Sequence, residues 1–238
     1  MPFVSPDLPQ TQAAIVAMTN AFRAENKLGG LAPNAALQAA AQAFAAYLAR
    51  TGTFAHAADG QAPNERARVA GYKACMIAEN IAMRRSTEGF SAADLARGTL
   101  EGWKTSPLHR ANLLQPAVTE TGIGIARSND PVPKFLAVQL LGRPDGFKYS
   151  FSIENRAGEP VAYTLDTQAR SIARAAVITF TACAPRTLAF KTGALTAEFQ
   201  TATGDRFVLS PGPDGAPRVE RQKAGATVKA AKAVKPRP

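Results

Sequence analysis

The sequence predicts an α+β fold in two parts: a unit of helices and strands, then a small all-β unit. Three observations carry that reading. Apolar residues recur at helical spacing through the first part of the chain. From Tyr149 onward they alternate with polar residues in short runs. The last stretch, VERQKAGATVKAAKAVKPRP, has no pattern that could build a core.

Between residues 8 and 28, Ile15, Met18 and Phe22 mark one face of a first helix. Pro33 opens a second, with Leu37, Ala41, Phe44 and Leu48 on one side and many alanines suited to close packing. APNERARVAGY reads as a short helix ended by Gly71. In STEGFSAADLARGTLEGW, Ser91 is the N-cap, with Asp94 three residues on, and Leu95 or Ala96, Leu100 and Trp103 turn inward. Trp103 is assigned to the core. That helix ends near Ser106, because Pro107 has no amide donor and restricts the residue before it. His109 is thereby set close to a chain reversal, with Arg110 and Asn112 tying down the turn. ETGIGIARS and KFLAVQLLG read as two strands joined by the turn-rich NDPVP.

The second part begins with Tyr149, Phe151 and Ile153, and continues with Val161, Tyr163 and Leu165. AVITFTA, TLAFK, TAEFQ and RFVL follow, some separated by turn residues, which is the pattern of a small sandwich. The expected organisation is therefore a first domain over residues 9–144, a β-rich domain over 147–217, and a basic disordered tail over 218–238.

Of the 238 residues 46% are hydrophobic, enough for a packed core and against general disorder. No apolar run is long enough to span a bilayer, and the N-terminus lacks the basic-then-apolar pattern of a signal peptide. The net charge is +10, of which the tail carries +6 through seven Lys or Arg and one Glu. The tail reads as solvated, with weak attachment to an anionic surface or to nucleic acid as its sharper alternative. No aromatic residue interleaves with its charges and no nucleic-acid-binding motif is present, so no specific nucleic-acid partner is expected. Two cysteines, Cys75 and Cys183, allow one disulfide and no Cys-x-x-Cys zinc cluster.

The chain has only two histidines. His56 lies in GTFAHAADG, ahead of turn residues, and His109 lies in SPLHRANLL. Neither sits in the middle of an apolar helical stripe.

Five ordered segments resemble one family: TNAFRAENKLGGLAPNAALQAAAQAFAAYL, FAHAADG, AGYKACMIAENIA, EGWKTSPLHRANLL and TETGIGIARS. The likeness is to the CAP superfamily (cysteine-rich secretory, antigen 5 and pathogenesis-related 1 proteins, or SCP domain), in particular its compact bacterial members. It covers residues 9–143 and implies a three-layer α-β-α sandwich with a surface cleft. Members are typically secreted, which implies an extracellular or periplasmic protein whose signal peptide is absent from this chain.

The family cleft holds two histidines and two glutamates. The resemblance places three of these at His56, Glu79 (in AENIA) and His109; the second glutamate falls close to Ser106. Asn80 is read as ordering backbone in its loop. Neutral imidazole is a common zinc ligand, so His56, His109 and Glu79 are candidate ligands for a divalent metal such as zinc. The alternative is a hydrogen-bonded polar cluster that fixes the cleft. The function implied is a secreted, non-enzymatic module binding a small apolar ligand, a divalent metal or a protein partner. A metal-assisted hydrolase with Glu79 as base is the competing expectation. Against it stand the missing carboxylate at Ser106 and the absence of an Asp–His relay to Ser106 or Cys75.

Overall fold

A computed structural model describes residues 3–192, 195–212 and 215–223. The chain divides after Phe147 into two units.

The first unit runs α1 (Leu8–Glu25), β1 (Ala32–Pro33), α2 (Ala35–Thr51), α3 (Pro63–Val69), β2 (Ala74–Arg85), α4 (Ala92–Thr105), α5 (Pro107–Leu113), β3 (Glu120–Arg127) and β4 (Lys134–Pro144). Its sheet has the order β1-β3-β4-β2, so β2 forms one edge. Strand β4 pairs antiparallel with both neighbours, and β1 pairs parallel with β3.

Alternation along β4 sorts the two faces. Leu136, Val138 and Leu140 join Leu37, Ala41, Phe44 and Leu48 of α2 on one side. Phe135 and Ala137 join Ile15, Phe22, Leu95, Leu100, Trp103 and Leu113 on the other. The result is an α-β-α sandwich, with α2 and α3 on one face and α1, α4 and α5 on the other. Trp103 is a core residue, 1% exposed, and its indole nitrogen donates to the Ile81 carbonyl of β2.

Three local expectations need correction. Helix α2 begins at Ala35, not Pro33, because the Asn34 side chain accepts from the amides of Ala36 and Leu37 and supplies the cap. Pro33 lies in β1. Pro107 opens a helix rather than a turn: at the first helical position its missing amide costs nothing, so His109, Arg110 and Asn112 stand on α5. Asn80 lies in a strand, not a loop, because AENIA is the middle of the twelve-residue β2.

The TGIG segment of β3 explains how α2 sits so close. A Cβ on Gly122 would stand 2.1 Å from the Gln38 nitrogen, and one on Gly124 would stand 2.2 Å from the Ala41 carbonyl carbon. Backbone rests on backbone there, which only glycine permits.

The second unit has β5 (Tyr149–Asn155), β6 (Val161–Leu165), β7 (Gln168–Ile172), β8 (Val177–Ala182), β9 (Thr187–Thr192), β10 (Leu195–Gln200), β11 (Arg206–Pro211) and β12 (Pro217–Gln222). Two four-stranded sheets, β10-β9-β6-β7 and β12-β11-β5-β8, share a core that includes Phe151, Ile153, Tyr163, Phe190, Phe207 and Leu209. This is the expected all-β sandwich. The expected tail starts too early: residues 218–222 belong to β12, which pairs along β11. Arg221 of that strand makes a two-pronged ion pair with the buried carboxylate of Asp205, a tie that composition alone could not disclose. Residues 224–238 of the expected tail lie outside the described residues.

Neither Cys75 nor Cys183 is a free thiol. Among the described residues no helix is long and apolar enough to cross a membrane.

The glycine contacts make a direct prediction. Gly124→Ala should destabilise the first unit by about 3 kcal/mol or more, because the contact is with backbone that cannot rotate away. Gly102→Ala, at an exposed site in α4 with nothing within 4 Å of the added carbon, should stabilise it by about 0.5–1 kcal/mol. Thermal melts of the two variants beside the parent check both signs.

Candidate functional site

Glu79 and Asn80 are neighbours on the edge strand β2, so their side chains point to opposite faces of the sheet. Each draws in one histidine-bearing segment.

On the α2–α3 side, Glu79 is buried, its side chain 1% exposed. Its Oε1 lies 2.8 Å from His56 Nδ1, and its Oε2 accepts from Arg66 Nη2 at 2.7 Å. Arg66 comes from α3 and its side chain is 5% exposed. The same Nη2 donates to the His56 carbonyl at 2.9 Å, while Nη1 donates to Asp59 Oδ1 and to the Gln61 carbonyl, both at 2.8 Å. The guanidinium carbon lies 3.6 Å from the centre of the Phe44 ring. One arginine thus holds the whole loop that carries His56 and neutralises the glutamate beneath it.

On the opposite side, α5 is fastened to the edge of β2. Asn112 Nδ2 donates to the Glu79 carbonyl at 3.0 Å and to Asn80 Oδ1 at 2.9 Å. Asn80 Nδ2 donates to Gln139 Oε1 at 3.2 Å and to the His109 carbonyl at 3.4 Å. Gln139 in turn donates to Thr19 of α1 at 3.3 Å. This buried amide chain fixes the backbone from which His109 projects.

The two imidazoles meet across the edge, with ring centres 6.5 Å apart and planes tilted by 47°. His56 is half exposed, whereas His109 is partly buried. An ion-paired carboxylate can only accept, so His56 donates to it from Nδ1 and turns Nε2 away from it. Burial, and then the neighbouring His56, hold the His109 pKa below its ordinary value of 6.5. Among the described residues no hydrogen bond fixes the His109 ring.

His56, Glu79 and His109 therefore come together. Ser106 is half-buried at the junction of α4 and α5, with no side-chain capping bond and no hydrogen bond to the cluster among the described residues. Glu79 stands behind His56 as a hydrogen-bond partner, with one oxygen on His56 and the other on Arg66. No three His, Cys, Asp or Glu side chains among the described residues group as metal ligands. Arg66, Asp59 and Gln139 also build the site, and sequence reasoning missed the roles of all three, whereas Asn80 does order backbone, from a strand and not a loop. A turn dipeptide, Asp59–Gly60, preceding a charged short helix was the only trace of the Arg66–Asp59 contact.

The lowered His109 pKa gives a pH dependence of known sign. The folded chain favours neutral His109, so this group leaves stability intact above 6.5 and removes it as pH falls below 6.5 through the lowered pKa. Urea midpoints measured across that window should fall less steeply with acid in His109→Gln than in the parent. Equal slopes would show that His109 titrates alike in both states.

Among solved structures, the fold is similar to an outer surface protein from Borrelia burgdorferi, at 19% identity over 58% of this chain and 96% of that one, with a TM-score of 0.50. An extracellular SCP-domain protein from Bacillus anthracis matches at 25% identity and a TM-score of 0.47, over 56% of this chain. The match spans 40% of that longer protein. No curated protein sequence matches the chain. The family model described as the cysteine-rich secretory protein family, CAP, matches residues 16–139, over half of the chain, and the chain belongs to that family.

Proposed function

We propose that this chain is an exported, non-enzymatic binding module whose cleft takes a divalent cation such as zinc between His56 and His109. The observation that carries this reading is the commitment of both Glu79 oxygens, one to Arg66 and one to His56. A metal-assisted hydrolase needs a carboxylate free to accept a proton from an activated water. Glu79 is occupied, and the second family position carries the neutral Ser106.

Two imidazoles are a sound but incomplete donor set for zinc. Glu79 serves it indirectly, by fixing the His56 tautomer and raising the basicity of the other ring nitrogen. His109 serves it by staying neutral at neutral pH. Bound there, the ion would act as a Lewis acid with positions left for water or for a donor from a protein partner. Export is supported by the secretory family to which the chain belongs and by the absence of a free cysteine.

A second reading, a small apolar ligand, has its own observation. A cavity of about 390 Å³ lies between α1 and α2, lined by residues that include Pro9, Ala13, Val16, Ala17, Gly122 and Ile123.

Titration calorimetry with zinc tests the first reading. At neutral pH, His56→Ala and His109→Ala should each abolish binding, and acid should weaken it in the parent as protons compete. Glu79→Gln should weaken it by about 10–100-fold without abolishing it. Equal zinc affinity in the parent and in the double histidine variant would overturn the site.

A further inference from the structure

We propose that the free edge of β8 is a self-association surface, and that its partner is β8 of a second copy of this chain, paired antiparallel. The two sheets of the second unit end in four edge strands: β7, β8, β10 and β12. Three of them carry the charges that keep sheet edges apart. Strand β7 has Arg170, β10 has Glu198, and β12 has Arg218, Glu220 and Arg221 behind Pro217. Strand β8 reads VITFTA, with no charge, no proline and no glycine. Burying any of the other three edges would bury a charge. Pairing β8 with itself places no charge at all in the joint.

The hydrogen-bond register shows what this edge offers. The Asn155 amide donates to Ala176 and the Ser152 amide donates to Asp205, so odd-numbered residues of β5 face β8 and even-numbered ones face β11. In β8, Ile178, Phe180 and Ala182 therefore bond to β5, while Val177, Thr179 and Thr181 turn their amides and carbonyls outward. Val177 is 61% exposed, and both threonines are exposed. The Arg170 guanidinium lies 6.0 Å from the centre of the Phe180 ring, over a side chain rather than on the strand's backbone.

The edge is self-complementary. Antiparallel pairing about Thr179 sets Thr179 opposite its own copy and Val177 opposite Thr181, so all three outward-facing residues meet their hydrogen-bonding counterparts. Between them, Ile178 meets Phe180 on the core side. Both are only half-buried in one copy and would cover each other across the joint. Two four-stranded sheets would become one of eight strands. A single short strand buries less than the roughly 1,200 Å² typical of a stable complex, so the association is weak, with a Kd on the order of 100 µM.

Sedimentation velocity of the full chain tests this across concentrations spanning that Kd, in about 0.5 M salt to screen the net charge of +10. The parent should shift toward dimer as concentration rises. Thr179→Lys places two lysines face to face at the two-fold and should weaken association by about tenfold or more. Val177→Lys, also at an exposed position, should act in the same direction, and thermal melts confirm that each variant folds. Amide exchange should slow at Val177, Thr179 and Thr181 on association. A parent that stays monomeric throughout, lysine variants that associate as well as the parent, or a dimer whose three amides exchange as fast as in the monomer would each overturn the proposal.

Discussion

Arg66 carries a full charge with its side chain 5% exposed, and the placement of the histidine cluster follows from how that charge is satisfied. A buried cation is tolerated only where opposite charge and acceptors surround it. Here Glu79 and Asp59 supply the charge, two loop carbonyls supply the acceptors, and the Phe44 ring covers one face. Only Nε is left without a hydrogen-bond partner among the described residues. Removing the arginine would strand a carboxylate in the same interior, at a cost of about 3–5 kcal/mol. The arrangement fixes more than stability, since the loop it clamps is the one that presents His56.

The edge position of β2 lets the two histidine-bearing segments meet. A strand inside the sheet would separate α3 from α5 by another strand. At the edge, side chains from both faces can reach around the same backbone. Asn112 and Trp103 satisfy the outward carbonyls of Glu79 and Ile81, which also protects an otherwise open sheet edge. The polar groups that close the edge are therefore the ones that set His109 opposite His56. The placement of the histidines and the protection of the edge come from a single set of hydrogen bonds.

The helices were legible because their apolar faces repeat at helical spacing and their caps are local. Ser91 and Leu37 needed nothing beyond their neighbours to be placed. Strand β2 was not legible as a strand, because two adjacent central positions, Glu79 and Asn80, are polar and break the alternation that signals one. Each holds a histidine-bearing segment, one on each face. The histidines and Glu79 came from resemblance to the family, not from periodicity. Arg66 was hidden for another reason: in a seven-residue helix with Glu65 and Arg68 close by, a buried arginine reads like any solvated charge. Strand β12 was lost within a basic stretch because its partner, Asp205, is remote in sequence until β11 and β12 pair.

Glu79, locked by Arg66, holds His56 by Nδ1 and leaves Nε2 as the outward nitrogen. Nitrogen-15 NMR of the His56 imidazole at neutral pH tests it most directly. The Nδ1–H tautomer, with an unprotonated Nε2, is expected in the parent, and loss of that preference in Arg66→Met. A dominant Nε2–H tautomer in the parent, or the same Nδ1–H preference with and without Arg66, would contradict it.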